Sequence, residues 1–320
     1  MKVLILGGTG LISSGITRAC QALGYQVAHL NRGSQSAPVG VETIVGDRYS
    51  AADLRRARRF QPDVVIDMLA FTAPDAELVV ATFGGSVQQV ICCSTCCVYD
   101  IHSGGAPFRE DSPLGSHWHY GLNKQRCEEI YLKAHADGAF NCTIFRPAHV
   151  YGPNFFIHQL GFDGALLINR IAHELPVLVF AGGRQLWQAC HHDDAGSAFA
   201  YACLRRCCYG QVYNLVYREL LSWRKCYERI AAMLSKPLKL MSLEADALPE
   251  LSDNEFLLNI SRYSFAADPA RLYADIPEFR QQHSYEDGAR SFWNQRQGGD
   301  PALEYDPLLT MLLNTRAVRC

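Results

Sequence analysis

The apolar run Val3 to Leu6 gives way at once to Gly7-Gly8-Thr9-Gly10-Leu11-Ile12-Ser13, and behind it Ile12, Ile16, Cys20 and Leu23 recur at helical spacing until Gly24. A strand that must turn directly into a helix leaves few folds open. Glycines let such a turn close tightly and let a ligand approach the backbone, while the unpaired N–H groups at the positive helix end attract a phosphate. The third position of the Gly-x-x-Gly-x-x-Gly spacing is Ser13, small enough to keep helix and strand in close contact. Gly7, Thr9, Gly10, Leu11 and Ile12 are therefore the candidate contacts for a dinucleotide pyrophosphate.

The alternation continues. Strands are predicted at Val3 to Leu6, Gln26 to Leu30, Glu42 to Val45, Val64 to Asp67, Gln89 to Cys93 and Cys142 to Phe145, with a long helix from Tyr120 to His135. Strands separated by helices predict an α/β protein with a Rossmann-type, doubly wound parallel sheet. After Tyr151-Gly152-Pro153 the pattern loosens. A helix is predicted at Ala165 to His173, a strand at Val177 to Phe180, a return to the sheet through His191 to Asp194 and Val212 to Leu215, and a helix capped by Ser222 and running to Leu234. Two interleaved lobes follow: a dinucleotide-binding domain over 1–152 with a returning segment 188–216, and a smaller substrate lobe over 153–187 and 217–300. Residues 301–320 form a tail with a weak helical pattern.

With 320 residues, 48% hydrophobic content and 19% charge, the chain can bury a large core. A net charge of −2 argues against a nucleic-acid binder, and the basic run Arg55, Arg56, Arg58 and Arg59 reads as a solvated helix face. The thirteen cysteines carry no paired Cys-x-x-Cys spacing and no His pair at ligand distance, so Cys92, Cys93, Cys96 and Cys97 read as small buried hydrophobes, and no metal is expected. No apolar stretch approaches a membrane span, and no export leader opens the chain, so a cytoplasmic protein with reduced thiols is expected.

Two further segments carry chemistry. Tyr120-Gly-Leu-Asn-Lys124 puts a phenol and an ammonium on one helix face, in a chain with only six lysines. A nearby ammonium favours the phenolate and lowers a phenol pKa from about 10, which makes a tyrosine useful as an acid or base. The competing structural reading is a half-buried Tyr120 with a surface Lys124 paired to Glu128. At the end of the second strand, Asn31-Arg32-Gly33-Ser34 lacks the carboxylate that would hold an unphosphorylated adenosine ribose; Arg32 and Ser34 suit a 2′-phosphate, so the pattern leans from NAD towards NADP. Asp47 is placed to accept from an adenine amino group, or is a turn aspartate.

Together these residues resemble an extended or atypical short-chain dehydrogenase/reductase of the NAD-dependent epimerase/dehydratase type. Ser94-Thr95-Cys96-Cys97-Val98-Tyr99 is similar to that family's Ser-Ser/Thr-x-x-Val-Tyr segment, 25 residues separate Thr95 from Tyr120, and Phe145-Arg146-Pro147 with Val150-Tyr151-Gly152-Pro153 resembles its Arg-Pro-x-x-x-Tyr-Gly-Pro stretch. His191-His192-Asp193-Asp194 and Ala267-Asp268-Pro269-Ala270-Arg271 resemble later landmarks. The resemblance implies that Thr95 holds the reacting oxygen, that Tyr120 moves its proton, and that Lys124 binds the nicotinamide ribose, with Ala70 among the cofactor contacts and Ser94 either a helper or, the simpler reading, a structural hydroxyl. It also implies a small sugar-like substrate, and it is compatible with a homodimer.

Three departures narrow that reading. Cys96-Cys97 stand where dehydratases carry an acid–base Asp-Glu pair, Trp187 stands where many nucleotide-sugar epimerases carry a diphosphate-binding Arg, and the Asn-Val-x-Gly-Thr segment is not visible in Val79 to Val87. Arg184 and Arg218 are candidate substitutes for the missing Arg. The expectation is an NAD(P)-dependent reductase or epimerase acting on a hydroxyl or keto carbon. The alternative on the same fold is a catalytically drifted cofactor- or RNA-binding protein, which predicts a degraded Thr-Tyr-Lys set and a basic surface.

Overall fold

The computed structural model describes residues 1–36, 38–162, 164–244, 253–295 and 318–319. Seven parallel strands form the central sheet. In chain order they are β1 (Lys2–Leu6), β2 (Gln26–Asn31), β3 (Val41–Val45), β4 (Val64–Asp67), β5 (Gln89–Cys93) and β6 (Asn141–Pro147), joined later by β11 (Gln211–Leu215). Their spatial order is β11-β6-β5-β4-β1-β2-β3, the reversal at β1 and β4 marking a doubly wound Rossmann sheet. Strands buried on both faces read as continuous apolar runs. Val3, Leu4, Ile5 and Leu6 are all fully buried; Val3 and Ile5 join one core, Leu4 and Leu6 the other. Each such side chain contributes about 1.5–3 kcal/mol of burial.

The helices α1 (Leu11–Ala22), α2 (Ala51–Arg58), α3 (Ala73–Phe83) and α4 (His119–Ala136) form the crossovers. Ser50 caps α2 by accepting from the Asp53 N–H, and Thr72 with Asp75 makes a capping box for α3. The arginines at 55, 56, 58 and 59 are exposed, as a solvated helix face requires.

The second half contains β7 (His149–Tyr151), α5 (Gly164–Ala172), β8 (Val177–Phe180), β9 (Leu186–Trp187), β10 (Ala189–His191), α6 (His192–Ala202), then β11, β12 (Leu221–Ser222), α7 (Trp223–Leu234) and β13 (Leu240–Leu243). Helices α8 (Ala270–Asp275) and α9 (Tyr285–Gln295) follow, and β14 (Val318–Arg319) pairs with β13. The predicted helical pattern of the tail otherwise lies outside the described residues. Ser222 caps α7 as expected, accepting from the Lys225 N–H.

Helix α6 crosses α1 at backbone contact. A Cβ on Gly15 would lie 2.2 Å from the His192 carbonyl oxygen, and one on Gly196 would lie 2.1 Å from the Gly15 carbonyl carbon. This contact, with the β7–β10 pair, brings the start of α6 to the glycine loop, so the second half of the chain closes over the ends of β1, β4 and β5.

Candidate active site

A cleft of about 840 Å³ opens there, and the Gly7–Ser14 loop, Cys93 to Cys97 and Tyr120 all line it. Gly7 has a φ of +86°, and its turn is fixed by Asn31, whose Oδ1 accepts from the Gly8 N–H at 2.9 Å. Ser13 donates to the Gly7 carbonyl at 2.7 Å. At the start of α1, Gly10 is the N-cap and supplies no side-chain cap, so the first-turn N–H groups face the cleft unprotected. That donor set fits a pyrophosphate.

Thr95 follows β5 and is 6% exposed; its hydroxyl accepts from the Cys97 N–H at 3.1 Å and caps the short turn Cys96–Val98. Tyr120, half-buried in the first turn of α4, is brought to that turn by its neighbour Gly121. A Cβ on Gly121 would lie 2.1 Å from the Cys97 carbonyl oxygen and 2.2 Å from Ser116 Oγ, so only glycine lets α4 start this close. Lys124 lies one helical turn on and is 1% exposed. Its Nζ donates to the Ala70 carbonyl at 2.8 Å and the Cys93 carbonyl at 2.5 Å, 5.2 Å from the Phe71 ring centroid. Two of its three donors are thereby taken, and the side chain lies behind the cleft lining and is not part of it.

The surface-lysine reading is thereby overturned. Glu128 faces Arg146 instead, with Nη2 to Oε2 at 2.6 Å, and also accepts from Ser94, which makes Ser94 structural. The expected direction of the Tyr120 pKa is overturned too: burial, reinforced by the neighbouring Cys97 and Cys93, pushes the phenol above its usual value, and the Thr95 hydroxyl only partly opposes this. The phenol is a protonated acid at neutral pH.

Other predicted contacts are dispersed. Asn31 is buried with its Oδ1 committed to the loop and its Nδ2 unpartnered. Arg32 and Ser34 are exposed beyond β2 and do not line the cleft. Asp47 is exposed, and its Oδ1 accepts from the Tyr49 N–H at 3.0 Å, as a turn aspartate does. Ala70 contributes its carbonyl to Lys124. Among the described residues one cluster has metal-ligand character, His191, His192 and Asp193, but Asp193 accepts from Arg18 Nε at 2.8 Å and His192 Nδ1 lies 3.2 Å from the Leu11 carbonyl.

The sequence model of the NAD dependent epimerase/dehydratase family matches residues 3–82 and 75–215, two thirds of the chain. The chain belongs to that family. It is similar to 2′-dehydrokanamycin reductase of Streptomyces kanamyceticus, at 29% identity over 287 residues, covering 88% of this chain and 81% of that protein. It is also similar to the spore coat polysaccharide biosynthesis protein SpsK of Bacillus subtilis, at 28% identity over 171 residues and about half of each chain. Among solved structures, the NAD complex of Thermus thermophilus UDP-glucose 4-epimerase matches with a TM-score of 0.73 and 20% identity, covering 94% of this chain and all of that one. The Thermotoga maritima UDP-glucose 4-epimerase with UDP-glucose matches at 0.75 and 16%, covering 92% and 99%.

Within this NAD dependent epimerase/dehydratase chain, the positions expected to hold a diphosphate are turned away. Trp187 is buried against Trp223, ring centroids 4.3 Å apart, and donates its indole N–H to Cys226 Sγ. Arg184 and Arg218 are exposed, the latter 4.3 Å over the Tyr273 ring, and neither lines the cleft. Cys97, in the segment where dehydratases carry their acid–base pair, is a neutral thiol that burial pushes up to about 11.

Sequence reasoning missed Gly121, the Arg146–Glu128 pair beneath Ser94, and the buried set Arg48, Asp67 and Tyr131, in which Arg48 Nη2 lies 2.5 Å from Asp67 Oδ2 and the Tyr131 hydroxyl donates to the same oxygen at 2.6 Å. An arginine directly after the predicted strand Cys142 to Phe145 was the available signal, because the strand runs on to Pro147 and a buried guanidinium needs a carboxylate.

Proposed function

We propose that the protein is an NAD(P)-dependent reductase of a keto group on a sugar-like molecule. The observation that carries this reading is one cleft lined by the glycine loop, Thr95 and Tyr120, with the Lys124 Nζ buried against the carbonyls of Ala70 and the cleft-lining Cys93. A bound nicotinamide dinucleotide supplies a hydride donor or acceptor. The chain's own work is the rest. The α1 N-terminus receives the pyrophosphate, Lys124 uses its free donor on a ribose hydroxyl, Thr95 donates to the substrate carbonyl oxygen, and Tyr120 delivers the proton that reduction of that carbonyl requires.

Reductase is preferred to epimerase because a curated relative that matches 88% of this chain is named as a reductase, and because no arginine lines the cleft among the described residues. The cofactor preference follows the exposed Arg32 and Ser34 at the end of β2, where a carboxylate is absent; NADP(H) is the proposed partner. The cytoplasm is the proposed location.

The test is purification, identification of released cofactor, and a screen of keto-sugars for loss of reduced-nicotinamide absorbance by wild type and Tyr120→Phe. Reductase activity consumes one cofactor per product, whereas an epimerase keeps its cofactor. Near-normal turnover by Tyr120→Phe would reject the proton-transfer role.

A further inference from the structure

Resting on the reading of Thr95 and Tyr120 as the reacting centre, we propose that the substrate half of the cleft is built for a phosphate-free glycoside, with Trp118 as the platform against which the apolar face of its sugar ring stacks. Trp118 is the N-cap of α4, two residues before Tyr120, and the two ring centroids are 5.1 Å apart at 54°. Its indole N–H donates at 2.9 Å to Glu255 Oε2, 137 residues away on the opposite lobe, so the ring is held from across the cleft. A platform fixed this way stands beside the phenol that would protonate the substrate.

The facing wall is also aromatic. Phe256 is buried, Phe162 packs on it at 4.8 Å while 53% exposed, and Phe155 lies 6.2 Å from Phe162 at 36% exposed. All three line the cleft with Phe265 and Ile260. Large aromatic side chains left facing a cleft are unusual on a surface without a ligand to cover them.

Charge separates the candidate substrates. Among the described residues lining the cleft there is no Lys, Arg, Asp or Glu. Two arginines of the lobe make contacts of their own: Arg262 donates through Nη2 to the Tyr263 hydroxyl at 2.6 Å, and Arg224 to the Gly182 carbonyl at 3.1 Å. The cleft's other anion site, the α1 N-terminus, is taken by the cofactor. Against the described lining, a nucleotide-sugar diphosphate would enter an apolar cleft without a counter-charge, which disfavours binding. The neutral groups that do line it, Asn154 and His149, suit sugar hydroxyls; burial lowers the His149 pKa to about 4 and keeps its ring uncharged.

The experiment uses the full-length protein loaded with its reduced cofactor and matched probes: methyl glycosides of 2-, 3- and 4-keto-hexoses, the UDP derivative of the 4-keto-hexose, and UDP alone. The expected result is Tyr120-dependent cofactor oxidation with a methyl keto-glycoside at a kcat/KM at least about tenfold above that for the UDP form, with no competition from millimolar UDP. Trp118→Ala should raise KM for the glycoside about tenfold or more with kcat and cofactor affinity little changed, and Trp118→Phe should recover most of it. Phe162→Ala, at an exposed position, should raise KM without altering stability. Tyr120-dependent turnover that prefers the UDP derivative, or competitive binding of UDP at micromolar concentration, would overturn this inference and leave the reductase reading standing. Failure of the purified protein to bind any nicotinamide cofactor would overturn both.

Discussion

Replacing Lys124 with Met separates two tasks that one side chain performs. The side chain is 1% exposed and its Nζ holds the carbonyls of Ala70 and Cys93 at 2.8 and 2.5 Å. Methionine fills nearly the same volume and removes both donors. A buried acceptor left without its donor costs about 1–3 kcal/mol, so two give about 2–6 kcal/mol. Against this, a thioether needs none of the desolvation that a buried amine requires, which returns part of the loss. The expected net destabilisation is about 2 kcal/mol, or a fall in Tm of roughly 3 °C for a chain this large. Catalysis should fall independently of stability, by about a hundredfold or more in kcat, because the free donor at the ribose and the electrostatic support of Tyr120 go together. Thermal unfolding of the cofactor-free protein and single-turnover kinetics with saturating cofactor separate the two effects. An unchanged Tm together with turnover within about threefold of wild type would show that Nζ holds neither the carbonyls nor the cofactor.

Gly121→Ala should push α4 off the Cys97 carbonyl and lower kcat by about tenfold or more while far-ultraviolet circular dichroism is unchanged, since the added Cβ meets backbone at 2.1 Å; kcat within about twofold of wild type would show the contact is not what places Tyr120. Arg32→Ala should weaken NADP(H) far more than NAD(H) in a fluorescence titration, and equal weakening would remove the 2′-phosphate assignment. Stability should fall as the pH drops from about 6.5 towards 4. His29, His149 and His191 are all held near 4 by burial, so the unfolded chain binds more protons in that window; a fully buried ring such as His29 contributes about 3 kcal/mol that is complete above 6.5 and lost below 4. Denaturant midpoints at pH 7.5, 6 and 5 check this, and a flat profile would show that the three rings titrate normally.

Strands buried on both faces were legible because they are apolar apart from a polar residue at one end, Asp67 or Gln89: Val64–Asp67, Gln89–Cys93 and Val177–Phe180 form with the expected bounds. Ser222 was legible as a cap because a hydroxyl before an amphipathic run has one obvious local use. The short pairs β7–β10 and β9–β12 were not, since two or three residues carry no period and their pairing is set by tertiary contacts. The site divides the same way. The glycine loop, Thr95, Tyr120 and Lys124 belong to local motifs. Their arrangement depends on Gly121 against Cys97, Lys124 against Ala70 and Trp118 against Glu255, contacts between segments far apart in the chain that no local pattern encodes. The same distance explains the Tyr120 pKa: the motif shows the lysine at i+4, and only the fold shows the burial that outweighs it.

The most direct test of Tyr120 as the proton carrier in nicotinamide-linked reduction is deuterium transfer, read by mass spectrometry, from cofactor labelled at C4 into product by wild type and Tyr120→Phe at matched cofactor occupancy. The expected result is one deuterium per product in wild type and a rate lower by about 10²–10⁴ in the variant, with cofactor affinity unchanged. Label transfer at the wild-type rate in Tyr120→Phe, or product formed by wild type without label, would contradict it.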